Sequence, residues 1–129
     1  MISRNVARII FLLLLIALSA AFLMQVSTGA VPRFEHADKV VHFGAFFVLA
    51  LTFHRAFPIP IWAALIVLTL YGVAIEWLQG MLPYRDASLG DLVADALGAA
   101  AYYAIAYWYY RRQKKGRLQN LNGVNELQK

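Results

Sequence analysis

Along this chain apolar residues run together in long blocks, broken by short polar stretches that carry the prolines. The first block is "IIFLLLLIALSAAFLMQV", Ile9 to Val26. The second starts at Asp38 and runs through "VVHFGAFFVLALTF" to about Phe57. The third, "IPIWAALIVLTLYGVAIEWLQG", covers Ile59 to Gly80, and the fourth extends from about Asp91 to Tyr110. A helix that crosses the hydrocarbon core of a bilayer needs about 20 mostly apolar residues, so each block predicts one span. Pro32, Pro58, Pro60 and Pro83 fall between spans or at their edges, where a missing N–H does no damage. "FPIP" leaves so short a connection that spans two and three form a hairpin. The expected fold is an all-α integral membrane protein, a single-domain bundle of four transmembrane helices, with residues 111–129 as a basic tail.

Composition strengthens this picture. Of the 129 residues 61% are hydrophobic and only 15% charged, more apolar side chain than a soluble domain of this length can hide. With no cysteine, disulfides, thiolate metal sites and thiol catalysis are excluded. The net charge of +5 forms no basic face for nucleic acid, because the basic residues gather at the two chain ends beside apolar blocks. A cleaved signal sequence is the alternative for the first block, since Arg4 and Arg8 precede it and "ALSA" offers small residues. The run is longer than a signal's apolar core, which favours a span.

Lysine and arginine give a direction. With the N-terminus inside, the cytoplasmic side holds Arg4, Arg8, Arg55, Arg111, Arg112, Lys114, Lys115, Arg117 and Lys129, against Arg33, Lys39 and Arg85 outside. Both termini are therefore expected in the cytoplasm. "RRQKKGRLQ" reads as an inner anchor able to touch anionic lipid head groups, and "YWYY", residues 107 to 110, as the inner aromatic belt. Trp77 and Tyr84 suit the outer belt. The acids are one-sided in the opposite sense: Glu35, Asp38, Glu76, Asp86, Asp91 and Asp95 all fall outside or in the outer half of a span, and Glu126 alone inside.

At about 100° per residue, each of the last three spans carries one polar or small stripe. It reads Asp38, His42, Ala45, Leu49 and Thr52 in the second, and Thr69, Gly72, Glu76 and Gln79 in the third. In the fourth it is Asp91, Asp95, Gly98 and Tyr102. Phe47, Leu68, Leu92, Val93 and Ala100 lie on the other sides and are expected to face lipid. Small residues let helices approach closely, and ionisable groups in a span normally face the bundle interior. The stripes should therefore converge, bringing Asp38, Lys39, His42, Glu76, Gln79, Arg85, Asp91 and Asp95 around one outer pocket.

Part of this set has an architectural explanation. Ser88 lies three residues before Asp91, a capping-box spacing with Asp in place of Glu, and Asp38 could likewise charge the start of its helix. Lys39 and Arg85 could simply pair with these acids, and Gln79 could be an interhelical hydrogen bond. His42, Glu76 and Asp95 resist that account. They lie a turn or more inside, where a charge costs roughly 3 kcal/mol on insertion scales. Asp38, Glu76, Asp91 and Asp95 face only Lys39 and Arg85 as permanent cations. The negative excess must be met by protons, a cation, a basic ligand group or water.

The same residues carry a family likeness. "DKVVHFGAFFVLAL" followed by "GVAIEWLQGMLPYRDASLGDLVADALGA" resembles the VanZ-like membrane proteins. Asp38, Lys39, His42, Glu76, Gln79, Arg85, Ser88, Asp91 and Gly98 match that family's characteristic positions, over roughly residues 8 to 110. Where this chain has Asp95 the family often has asparagine, so the pocket gains an acid. The resemblance implies a small multi-pass protein of the bacterial cytoplasmic membrane. The family's founding member is associated with resistance to the glycopeptide teicoplanin and has no assigned biochemical activity, so resistance is not carried over to this chain.

Two functional classes follow. In the first, the chain is an enzyme on a lipid-linked or cell-envelope substrate, with His42 and Glu76 as acid–base groups and Lys39 with Arg85 holding a phosphate or carboxylate. Asp38, Gln79, Asp91 and Asp95 complete its substrate pocket. Asp91 and Asp95, with His42 and Glu76, also offer oxygen and imidazole ligands to a divalent cation. In the second, the same pocket docks a lipid head group or a partner helix without catalysis. Ion transport is disfavoured, because no acidic or histidine relay reaches the inner side.

Overall fold

The computed structural model describes residues 1–24 and 37–128, so Val26 and the connection carrying Arg33, Glu35 and His36 lie outside the described residues. The described residues form four α-helices and no strand: α1 (Arg4–Leu23), α2 (Ala37–Ala56), α3 (Ile61–Gly80) and α4 (Leu89–Leu127). The first three have 20 residues each. At 1.5 Å rise per residue that is ~30 Å, the thickness of the hydrocarbon core. All four are long and apolar enough to cross a membrane, and only 17% to 33% of each one's most apolar stretch is buried inside the bundle. The rest needs lipid. Leu13, Ile16, Trp62 and Leu70 are among the large apolar side chains left exposed.

Local chemistry sets the helix ends. The Ser3 hydroxyl accepts from the Val6 N–H at 3.3 Å, so α1 begins ahead of the apolar block and takes in Arg4 and Arg8. Pro60 stands immediately before α3, where its missing N–H costs nothing. Ser88 caps α4, accepting from the Asp91 N–H at 3.3 Å. The helix therefore starts two residues before the sequence reading at Asp91.

At its other end α4 does not stop with the apolar run. It continues through the basic segment to Leu127, 39 residues in all. Since about 20 residues suffice to cross, the second half of α4 projects from the bilayer as an exposed helix. The Arg112 guanidinium lies 3.7 Å over the Trp108 ring, and Gln113 Nε2 donates to the Tyr109 hydroxyl at 2.8 Å. These pairs, four residues apart, support the helix as it continues past Tyr110.

Phe22, near the end of α1, packs against Phe46 of α2 and Ile75 of α3. Ala7 and Phe11, near the start of α1, pack instead with Phe53 and Ala56 late in α2 and with Ala64 early in α3. Successive helices thus run in alternating directions. The α2–α4 interface is the most extensive, and Gly98 explains its closeness: a methyl group there would run into the Phe43 carbonyl oxygen of α2. Two polar contacts tie the spans together at mid-depth and beyond. The Ser19 and Tyr71 hydroxyls are 2.7 Å apart, and His54 Nδ1 lies 2.8 Å from the Tyr102 hydroxyl.

One expectation about facing is overturned. Leu68, assigned to lipid, is only 2% exposed and sits in the main core with Ala64, Ala99 and Tyr103. The buried residues of α3 are Ala64, Leu68, Gly72, Ile75, Glu76 and Gln79. At about 100° per residue they form an arc of which the stripe from Thr69 to Glu76 is one edge rather than the centre. In a span that is apolar all round, polarity marks where the polar groups lie and leaves the rest of the buried face unsigned.

Candidate functional site

At the end of the bundle where α1 terminates, α2 begins, α3 ends and α4 begins. His42 is five residues into α2, Glu76 four residues before the end of α3 and Asp95 six residues into α4. All three are therefore within about two turns, ~10 Å, of their helix ends. His42, Glu76 and Asp95 are buried, Asp95 completely, and the Asp91 side chain is 13% exposed. Their elements bring them together: His42 Nδ1 is 2.8 Å from Asp95 Oδ1 and 3.8 Å from Glu76 Oε1, while Nε2 is 3.8 Å from Asp91 Oδ2. The Phe22 ring stacks on the imidazole at a centroid distance of 4.5 Å and closes that side. Gly72 leaves room for the carboxylate from the other side, since a methyl group there would come within 3.0 Å of Asp95 Oδ2.

Lys39 is the cluster's one lysine or arginine among the described residues. Its ammonium lies 3.6 Å from Asp91 Oδ1, and its stem crosses the start of α4 over Gly90. Three carboxylates therefore share one ammonium and one imidazole. Glu76 Oε2 accepts from the Ser88 N–H at 2.9 Å, whereas Glu76 Oε1, Asp91 Oδ1 and Asp95 Oδ2 are buried without a hydrogen-bond donor among the described residues. Oxygens left in that state cost free energy, on the order of 1–3 kcal/mol each, unless something positive or protic meets them. The Ser88 contact also alters the expected capping box. Ser88 Oγ does accept from the Asp91 N–H, but the Ser88 N–H goes to Glu76 of α3, not to Asp91. The carboxylate of α3 thereby fixes the start of α4.

The rest of the expected set lies apart. Gln79 Nε2 donates to the Phe22 carbonyl at 2.9 Å, the Tyr84 hydroxyl to the Leu23 carbonyl at 2.9 Å, and Arg85 Nη2 to the Met24 carbonyl at 3.4 Å. The last carbonyls of a helix have no partner within it, and these three donors supply them to α1. Gln79 and Arg85 are thus engaged with backbone instead of pointing at the acids. Asp38 is exposed and makes no ion pair with the cluster among the described residues. A groove of about 390 Å³ lies next to the cluster between α2 and α4, walled by Val40, Phe43, Val93, Ala94 and Leu97, with Lys39 and Gly90 at one end.

Phe22 and Tyr84 were missed as partners of this region. A phenylalanine in a block of leucines carries no sign of a histidine beneath it. Tyr84 satisfies the pattern of a membrane-belt aromatic equally well while capping α1.

A protein-family model described as VanZ/LLP1 matches residues 2–110, a stretch that holds every residue of the cluster and its surroundings. The chain belongs to the VanZ/LLP1 family. An uncharacterised protein of the fission yeast Schizosaccharomyces pombe is 34% identical to this VanZ/LLP1 member over 93 residues, 67% of this chain. That stretch is 57% of the yeast protein's own length, so the relative is considerably longer. The similarity extends to a eukaryote, and the bacterial setting implied by the resemblance to VanZ-like proteins is no fixed property of related chains. No solved structure matches.

Proposed function

We propose that this VanZ/LLP1 protein acts at the outer face of a cell membrane on a lipid-linked or envelope substrate, using the His42–Glu76–Asp91–Asp95 cluster for acid–base chemistry. The carrying observation is the buried His42–Asp95 pair at 2.8 Å beside two further carboxylates with undonated oxygens. Asp95 fixes one imidazole nitrogen, leaving the other toward Asp91 to give or take a proton. Glu76 is the second proton carrier, held in place by Ser88. The neighbouring groove supports a lipid-linked substrate: its walls suit an acyl or isoprenoid chain, and the half-exposed Lys39 ammonium at its end suits an anionic head group. Arg85, whose Nη2 donates to the Met24 carbonyl at 3.4 Å, does not line this groove, so Lys39 is the cation placed at its end.

A non-catalytic reading, docking of a lipid head group or partner helix, is favoured by one observation. With Gln79 and Arg85 committed to carbonyls of α1, Lys39 is left as the cation bordering the groove. Lipid analysis of cells lacking the gene separates the two. An enzyme leaves its lipid-linked substrate accumulated, by several-fold, and re-expression of the wild-type chain clears it. An unchanged lipid profile beside a clear growth or envelope phenotype rejects catalysis and leaves docking.

The side of the membrane is part of the proposal. It rests on the excess of lysine and arginine at the end opposite the cluster. Single cysteines replacing Tyr84 and Gln119 in this cysteine-free chain test it with a membrane-impermeant thiol reagent on intact cells. Tyr84→Cys is expected to label and Gln119→Cys to stay protected until the cells are opened. The reverse pattern would turn the cluster toward the cytoplasm.

A further inference from the structure

We propose that His42, Glu76 and Asp91 bind one divalent cation of the zinc or manganese class, with Asp95 as the group that orients His42. The inference rests on the reading of this cluster as the working site and deepens it, by supplying the positive charge that the site's own residues do not provide.

Geometry comes first. One potential ligand atom from each of the three residues lies within 4.8 Å of the others. Ligands bound tetrahedrally at roughly 2.0–2.2 Å to a common ion stand ~3.3–3.6 Å apart, so the side chains must close by about 1–1.5 Å, the Glu76 carboxylate turning from its place 3.8 Å from His42 Nδ1 toward Nε2. The three come from α2, α3 and α4, so a bound ion joins three spans at one end of the bundle.

A second observation is independent of that spacing. Glu76 is 6% exposed, and its Oε1 faces His42 without a hydrogen-bond donor, while its other oxygen is held by Ser88. This is a buried acceptor aimed into the cluster with nothing to accept from. The charges agree. Three carboxylates, the Lys39 ammonium and a doubly charged ion sum to zero when His42 is neutral, which is the form an imidazole ligand must take. The 2.8 Å contact between His42 Nδ1 and Asp95 Oδ1 matches the carboxylate–histidine arrangement that fixes a ligand's tautomer and leaves Nε2 for the metal. Asp95 Oδ1 is then an acceptor and not a ligand. An imidazole among the ligands disfavours calcium and magnesium, which prefer oxygen throughout. Three protein ligands leave positions open for water or a substrate oxygen, as in metal sites that do chemistry.

The test uses the full chain in detergent, stripped with chelator and dialysed separately against Zn²⁺, Mn²⁺, Mg²⁺ and Ca²⁺. Bound metal is measured by mass spectrometry, and thermal unfolding is followed by tryptophan fluorescence. The expected result is about one Zn²⁺ or Mn²⁺ per chain and a raised unfolding midpoint. His42→Ala and Asp91→Asn should each weaken retention by about tenfold or more, and Asp38→Asn, at an exposed acid off the cluster, should not. Wild type that retains none of the four ions overturns the proposal, whether or not the variants fold. So does equal retention by wild type and both cluster variants. Failure here is distinct from failure of the working-site reading: a chain that binds no ion can still lose function when Glu76 is changed. A chain that binds the ion, while its cluster variants remain functional, keeps the ion and loses the working site.

Discussion

Gly98→Ala lowers the thermal midpoint of the detergent-solubilised chain, by the equivalent of about 2–3 kcal/mol, whereas Gly44→Ala leaves it within about 1 kcal/mol of wild type. The two glycines differ in what surrounds them. An added methyl at Gly44 meets nothing within 4 Å. At Gly98 it collides with the Phe43 carbonyl oxygen and comes within 3.0 Å of that residue's carbonyl carbon. Those are backbone atoms of α2, and no rotamer change can clear them. The helices must separate along the bundle's largest interface, which also holds His42 against Asp95. In a bilayer, close packing of this kind carries much of helix association, because burial of apolar surface gains little there. Circular dichroism melts of both variants check the contrast. Equal midpoints for the two would mean that α2 and α4 do not approach as described.

The spans were legible in the sequence because apolar block length is a direct measure of bilayer thickness. Ser88 was legible as a cap of the fourth helix, although the apolar run put that helix's start at Asp91, two residues late. His42, Glu76, Asp91 and Asp95 were legible as a group for a related reason: an ionisable side chain in an apolar span has nowhere to go except toward others like it. Less could be read where a residue had two satisfactory fates. Gln79 and Arg85 lie near the acids in sequence terms, but their donors serve carbonyls at the end of α1, and no periodicity announces an unsatisfied carbonyl on another helix. Leu68 shows the same limit for packing, since a leucine serves lipid and core alike. The length of α4 beyond Tyr110 was hidden by its composition, which is as compatible with a basic tail as with a projecting helix.

The largest functional effect is expected at Glu76. Its carboxylate does two things: Oε2 holds the Ser88 N–H at 2.9 Å, and Oε1 faces His42 without a donor. Glutamine can keep the first, because its side-chain carbonyl accepts from Ser88 as the carboxylate does. It cannot do the second chemically, because an amide neither exchanges a proton at working pH nor serves as an anionic ligand. If Glu76 only ties α3 to α4, Glu76→Gln should be harmless or stabilising, since it also removes a buried charge that costs several kcal/mol. If Glu76 works, the same change should lower activity by a factor of about 100 or more, the ordinary yield of a positioned acid–base group.

The most direct measurement is therefore complementation of a gene deletion by wild type and by Glu76→Gln, at membrane levels matched by immunoblot and with unfolding midpoints matched in detergent. The account predicts that the variant inserts, accumulates and folds like wild type and restores none of the lost function. Full restoration by Glu76→Gln would contradict it and reduce Glu76 to the hydrogen bond it makes with Ser88.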